Sequence, residues 1–175
     1  GLPRSGKTTM AQSWLRREIS FVDNGKIIDE PGCIIYPRAV VSADDVRLAM
    51  GHRWNGVVEP HVSAVCNTMI RALLYNHDVL VDEKHTTEKS ILRTIQIDPT
   101  ATWYFVDVHP LECINRAIST DQADLELVIH RMWRSLTRLC HCGSMDSVQH
   151  ELPRVINQLR ERATLNKESF ERISD

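Results

Sequence analysis

The chain opens on Gly1-Leu2-Pro3-Arg4-Ser5-Gly6-Lys7-Thr8-Thr9, and no other segment restricts its fold and chemistry as much. These residues satisfy the pattern G-x-x-x-x-G-K-[ST] in full. The glycines permit backbone angles that aim successive N–H groups into one concavity. The helix expected to follow adds its positive end to the same spot. Such a concavity suits a nucleoside triphosphate, ATP or GTP, held by Gly1, Arg4, Ser5, Gly6, Lys7, Thr8 and Thr9. Lys7 is the residue type that bridges the β- and γ-phosphates, and the Thr8 hydroxyl is the type that ligates Mg²⁺. A loop of this kind is carried by a buried strand, so a short apolar segment is expected before Gly1.

Downstream, apolar segments alternate between the two periods. Helices are expected over Thr8–Ser20, from Asp44 to Met50, Glu59–Asn76, Thr87–Ile95, Pro110–Ile118, Leu125–Leu139 and Pro153 to about Ala163. Strands are expected to end near Ser42 and to run over Asp78–Asp82 and Thr102–Val108, with a small hairpin excursion within 26–41. Ser144–Pro153 reads as a connector and Asn166–Asp175 as a charged surface tail. Alternating strands and helices imply an α/β fold with a central parallel sheet covered on both faces, a three-layer sandwich. Its 175 residues suit a single domain over 1–175. With 42% hydrophobic and 25% charged residues, the class is ordinary globular. No apolar run is long enough to cross a bilayer, and the basic-then-apolar layout of a signal peptide is not seen. A net charge of −2 gives no global basic field for nucleic acid, though a local groove is compatible with it. Five irregularly spaced cysteines fit free thiols in a cytoplasmic protein.

In parallel α/β sheets, ligands sit beyond the carboxyl ends of the strands. Two acidic elements fall there: Ser42-Ala43-Asp44-Asp45-Val46-Arg47 and Val81-Asp82-Glu83-Lys84. Phosphoryl transfer to an alcohol needs a base for the acceptor proton and support for Mg²⁺. Asp44 suits the first task. Asp82 suits the second, or acceptor binding. The plainer alternative is that Asp44 and Asp45 cap the following helix.

Together, the opening loop, Ser42-Ala43-Asp44-Asp45-Val46-Arg47, Val79-Leu80-Val81-Asp82, Val106–Arg116 and Leu125–Leu136 resemble the polynucleotide kinase-type P-loop kinases. These are P-loop NTPases of the nucleotide-kinase-like group, best known from bacteriophage RNA-repair enzymes. The resemblance spans most of 1–138, and the opening loop is its most specific part. It implies that Asp44 is the general base and that Arg47 holds a phosphate beside the acceptor hydroxyl. Three residues apart at a helix start, the two side chains share a face. It also implies that Asp82 lies on the acceptor side, that Arg116 is a lid arginine on the transferring phosphoryl, and that Arg131 lies near the adenine. The implied lid covers about 116–138, and the cofactors are ATP and Mg²⁺. Localisation would be cytoplasmic, or host cytoplasm for a phage-encoded chain. The sequence departs from the family in offering no second arginine shortly after Arg116; Arg134 and Arg138 are the nearest substitutes. The stretch from Asn24 to Arg38 is longer than the family's spacing.

The implied acceptor is a nucleic acid, either a 5′-hydroxyl polynucleotide or a hydroxymethylated base in DNA. Trp54, beside His52 and Arg53, could stack on a base or pack under a loop. A small-molecule kinase acting on a metabolite, antibiotic or nucleotide-sugar is the alternative, and a non-catalytic nucleotide-binding module is a third reading. His85, after the Asp82 strand, is a candidate for the acceptor cleft. Cys140-His141-Cys142 lacks the C-x₂₋₄-C spacing of structural zinc sites; Gly143 reads instead as a helix C-cap.

Overall fold

The computed structural model describes residues 2–16, 22–23, 26–27, 36–52 and 54–173, leaving aside the side chains of 22–23, 26–27 and 166–173. Gly1, Ser20, the stretch 28–35 and Arg53 lie outside the described residues. The chain divides into two compact units: Lys7–Glu83, and Gly1–Gly6 with Lys84–Asp175.

The N-terminal unit, Lys7–Glu83, begins with helix α1 (Lys7–Leu15). Strands β1 (Val22–Asp23) and β2 (Lys26–Ile27) pair antiparallel in two rungs, Val22↔Ile27 and Asp23↔Lys26. Strand β3 (Arg38–Ser42) then feeds helices α2 (Ala43–Ala49) and α3 (Glu59–Leu73), which return the chain to β4 (Asp78–Asp82). β3 and β4 pair in parallel from Arg38↔Asp78 to Ser42↔Asp82, so both carboxyl ends finish on one rung. The helical crossover is what a parallel pair requires. α1 and α3 both pack against this ladder. α3 does so through Val62, Cys66 and Ile70, four residues apart on one stripe. Arg38 fastens the end of α1: its Nη1 donates to the Trp14 carbonyl at 2.6 Å, and its guanidinium lies 4.9 Å from the Trp14 ring centroid. A cation there also suits the negative end of the helix. α2 closes with Gly51 at φ 71°, His52 N donating to the Arg47 carbonyl and Gly51 N to that of Leu48. This is the double bond of a Schellman cap, and glycine takes the left-handed angle without strain.

The C-terminal unit is helical: α4 (Glu88–Ile97), α5 (Pro110–Ser119), α6 (Leu125–Leu139) and α7 (Met145–Ile173). Thr87 starts α4 with a capping box, accepting from Ser90 N while the Ser90 hydroxyl faces Thr87 N. One buried cluster joins Ile91 and Ile95 of α4, Leu136 and Cys140 of α6, and Val148, Leu152, Ile156 and Leu159 of α7. A second joins Cys113, Ile114 and Ala117 of α5 with Ile129 of α6 and Met145, and Leu2 of the opening loop is buried in it.

The chain is therefore helix-rich and broadly α/β, its described parallel sheet being the pair β3–β4. Three expectations are corrected. Residues 101–109, expected to hold the strand Thr102–Val108, form no ladder. Their burial does alternate, Trp103 and Phe105 being half-buried and Thr102 and Tyr104 exposed, which is why the pattern reads as a strand. They are held through side chains instead, Trp103 and Phe105 on the first cluster, and Arg160 Nη2 donates to the Ala101 carbonyl at 2.9 Å. Next, Ser144–Pro153 is not a connector. Ser144 accepts from Ser147 N at 3.2 Å and starts α7, which runs through Pro153 because its buried stripe of Val148, Leu152, Ile156 and Leu159 continues across it. Lastly, the left-handed residue ending α6 is His141 at φ 50°, not Gly143: His141 N donates to Arg138 and Cys142 N to Thr137. Among the described residues, no helix is long and apolar enough to cross a membrane.

Candidate functional site

The carboxyl ends of β3 and β4 gather most of the acids singled out from the sequence. Thr8, in the first turn of α1, donates its hydroxyl to Asp82 Oδ2 at 2.7 Å. Asp82 is the last residue of β4, and its rung partner Ser42 is the last of β3. Ser42 caps α2 by accepting from Asp45 N at 3.4 Å, which puts Asp44 and Asp45 in the first turn of that helix. Capping thus falls to Ser42, and Asp44 is directed elsewhere.

Asp44 pairs with Arg47, whose Nη1 donates to its Oδ1. The Arg47 side chain is only 10% exposed, against 69% for Asp44. Its other edge meets Glu59, the first residue of α3: Nε to Oε1 at 2.6 Å and Nη2 to Oε2 at 3.1 Å. All three guanidinium nitrogens therefore donate to carboxylates. Hydrogen bonding to Glu59, then to Asp44, raises the Arg47 pKa above its ordinary value against the opposing pull of burial. Glu59 escapes sequence reading. An acid before Pro60 at a helix start reads as ordinary first-turn composition, and only the helix-to-helix packing of α2 on α3 brings it to Arg47.

Thr8 and Asp82 fit a hydrated Mg²⁺. Both offer hard oxygen, and adjacent corners of an octahedron with bonds of about 2.1 Å lie roughly 3.0 Å apart, against 2.7 Å for the observed pair. Mg²⁺ in phosphate sites takes one or two carboxylates and keeps several waters, so it needs no denser ligand set. Among the described residues, no group of three or more His, Cys, Asp or Glu side chains could hold a metal.

The remaining candidates lie in the C-terminal unit or stand apart. Ser5 is buried, and Arg4 (φ 61°) and Gly6 (φ 96°) take left-handed backbone angles. Arg4 donates through Nη2 to the Thr120 hydroxyl, and its carbonyl accepts from Arg116 Nη1 at 3.4 Å. Arg116 also pairs with Glu112 at 2.9 Å. Arg4 and Arg116 are thus brought together. Arg131 is exposed on α6, and Lys7 and Thr9 stand in the first turn of α1. Trp54 is 72% exposed, which removes the reading that it packs under a loop. His85 Nε2 lies 2.8 Å from the Thr94 hydroxyl, and its ring meets Trp103 edge-on at 4.9 Å. A cleft of about 570 Å³ opens beside the starts of α5 and α7, lined by His109, His130, Trp133 and Asp146 among others; none of the sequence candidates lines it.

No family model, no curated protein and no solved structure matches the chain.

Proposed function

We propose that the chain is an ATP- and Mg²⁺-dependent kinase that transfers the γ-phosphoryl group to a hydroxyl acceptor. The observation that carries this reading is the convergence at one end of the β3–β4 ladder: Thr8, the last residue of the G-x-x-x-x-G-K-T pattern, is bonded to Asp82, whose rung partner Ser42 lies two residues before Asp44. Lys7 would neutralise the β- and γ-phosphates. Thr8 and Asp82 would hold Mg²⁺, which when bound spreads the charge developing on the phosphate oxygens. Asp44 accepts the proton of the acceptor hydroxyl while that oxygen bonds to the γ-phosphorus; the bond to the β,γ-bridging oxygen breaks and ADP leaves. Arg116 as a phosphoryl-stabilising residue and Arg131 near the adenine follow from the resemblance. So do the finer fold, a three-layer P-loop sandwich with a lid at about 116–138, and a nucleic-acid acceptor.

One observation favours the second acceptor class, small alcohols. The guanidinium assigned to an acceptor phosphate is already bonded to Asp44 and Glu59. Label transfer from γ-labelled ATP separates the readings. Label in a 5′-hydroxyl oligonucleotide supports the polynucleotide reading, and label only in small alcohols supports the other. ATP binding without transfer to either class leaves a nucleotide-binding module and overturns the kinase.

A further inference from the structure

The cleft beside the starts of α5 and α7 takes no part in the chemistry proposed above, yet its walls are chemically specific. Pro110, Leu111, Trp133 and Met145 give it an apolar lining with one large ring. Two polar side chains, His109 and Asp146, share that lining. His109 starts α5, its Nδ1 accepting from Leu111 N at 3.3 Å. In a neutral imidazole the accepting nitrogen carries no proton, so the proton stands on Nε2. His109 Nε2 is therefore a fixed donor, and it has no partner among the described residues. The Asp146 carboxylate, exposed in the first turn of α7, is a fixed acceptor and likewise has no partner among the described residues. The volume of about 570 Å³ falls within the roughly 300–1,000 Å³ of small-ligand sites.

These walls select a ligand by exclusion. An aliphatic group would displace water from the donor and the acceptor without replacing its hydrogen bonds. An anion would meet Asp146, the one formal charge among the lining side chains when the imidazoles are neutral. A flat, uncharged ring with an acceptor and an N–H donor on its edge satisfies both groups and can stack on Trp133. We propose that this cleft binds an amino-substituted nitrogen heterocycle of the nucleobase class, with Asp146 accepting from the amino group and His109 Nε2 donating to a ring nitrogen. The proposal does not rest on the kinase reading. The ring belongs either to a free base or nucleoside, or to the nucleotide whose phosphates the opening loop would hold. Leu2 of that loop and Met145 of the cleft lie in one buried cluster.

The test compares adenosine with purine riboside, which has the same rings and sugar but no amino group. On titrating the full chain with adenosine, backbone amide shifts should move at 109–111 and 143–146. Adenosine should bind at least ~10-fold more tightly than purine riboside, the scale of one hydrogen bond to a charged acceptor. Asp146→Ala, at an exposed position outside both apolar clusters, should weaken adenosine by ~10-fold and leave purine riboside unchanged. Shifts elsewhere only, equal affinity for the two nucleosides, or an Asp146→Ala effect that is absent or equal for both overturns the proposal. Two further titrations identify the source of the ring, and either result supports the cleft. Adenosine binding that saturating ATP leaves unchanged assigns it to a free heterocycle. Adenosine binding that ATP abolishes, with Asp146→Ala weakening ATP by the same factor and inorganic tripolyphosphate not at all, assigns it to the nucleotide. Adenosine in the cleft with no ATP binding anywhere would sink the kinase reading alone.

Discussion

The two units use charge in opposite ways. In Lys7–Glu83, a guanidinium is drawn inside and surrounded by two carboxylates, with Thr8 and Asp82 paired on the ladder that α2 follows. In Lys84–Asp175, the ion pairs Arg116–Glu112, Arg154–Glu151 and Arg162–Glu88 all stand on the surface, and the interior consists of two apolar clusters. Exposed pairs are screened and worth little, whereas a shielded pair loses several kcal/mol when one partner is removed. The contrast teaches where each kind of substitution should register: packing changes in the C-terminal unit, polar changes in the N-terminal one.

The largest expected effect tests the apolar side. Leu136→Ala, at a fully buried position, should cost about 2–5 kcal/mol, read as a lower denaturant midpoint with faster amide exchange in α4, α6 and α7. A loss below ~1 kcal/mol would break the picture of a tightly filled cluster. Next comes the polar side. Asp44→Asn should cut turnover at least ~100-fold, a barrier increase of about 2.7 kcal/mol, with ATP binding retained; unchanged turnover removes Asp44 from the mechanism. Thr87→Ala deletes the α4 cap and should cost about 1 kcal/mol in the same melt. Arg162→Ala removes an exposed pair and should stay within about 0.5 kcal/mol; a larger loss would show that surface charge matters in this unit after all. The last effect, silent at neutral pH and felt only in alkali, is the titration of Cys140. Burial, then Cys142, raises its thiol pKa from 9.0 to about 11. A pKa raised on folding means that this contribution to stability is complete below pH 9 and is lost as pH rises toward 11. Melts of wild type and Cys140→Ser across that window should converge on the alkaline side.

Much of this was readable in the sequence, and the exceptions have physical causes. β4 falls on Asp78–Asp82 and α6 on Leu125–Leu139, as periodicity predicts, because in each the local pattern and the tertiary demand agree. The Arg47–Asp44 contact follows from helical spacing. Glu59 does not, since it reaches Arg47 only through the packing of α3 on α2. Residues 101–109 carry a strand's alternation without a ladder, and alternation reports which side is buried, not where hydrogen bonds go. Pro153 reads as a boundary, yet the apolar stripe of α7 continues through it. His141 supplies the left-handed cap two residues before Gly143, the residue type that most often signals one.

The rung shared by Ser42 and Asp82 makes spacing part of the chemistry. Asp44 stands two residues past one end of that rung, and Thr8 is tied to the other. A strand side chain changes face with every step, so one residue added or removed within β3 would turn Val41 outward and shift Asp44 around the start of α2. The same edit in the 50–58 connection would leave the rung intact. Chain length within β3 is therefore under tighter constraint than side-chain identity there, and single-residue insertions and deletions in 38–44 form a harsher class of mutation than any conservative substitution in the same stretch.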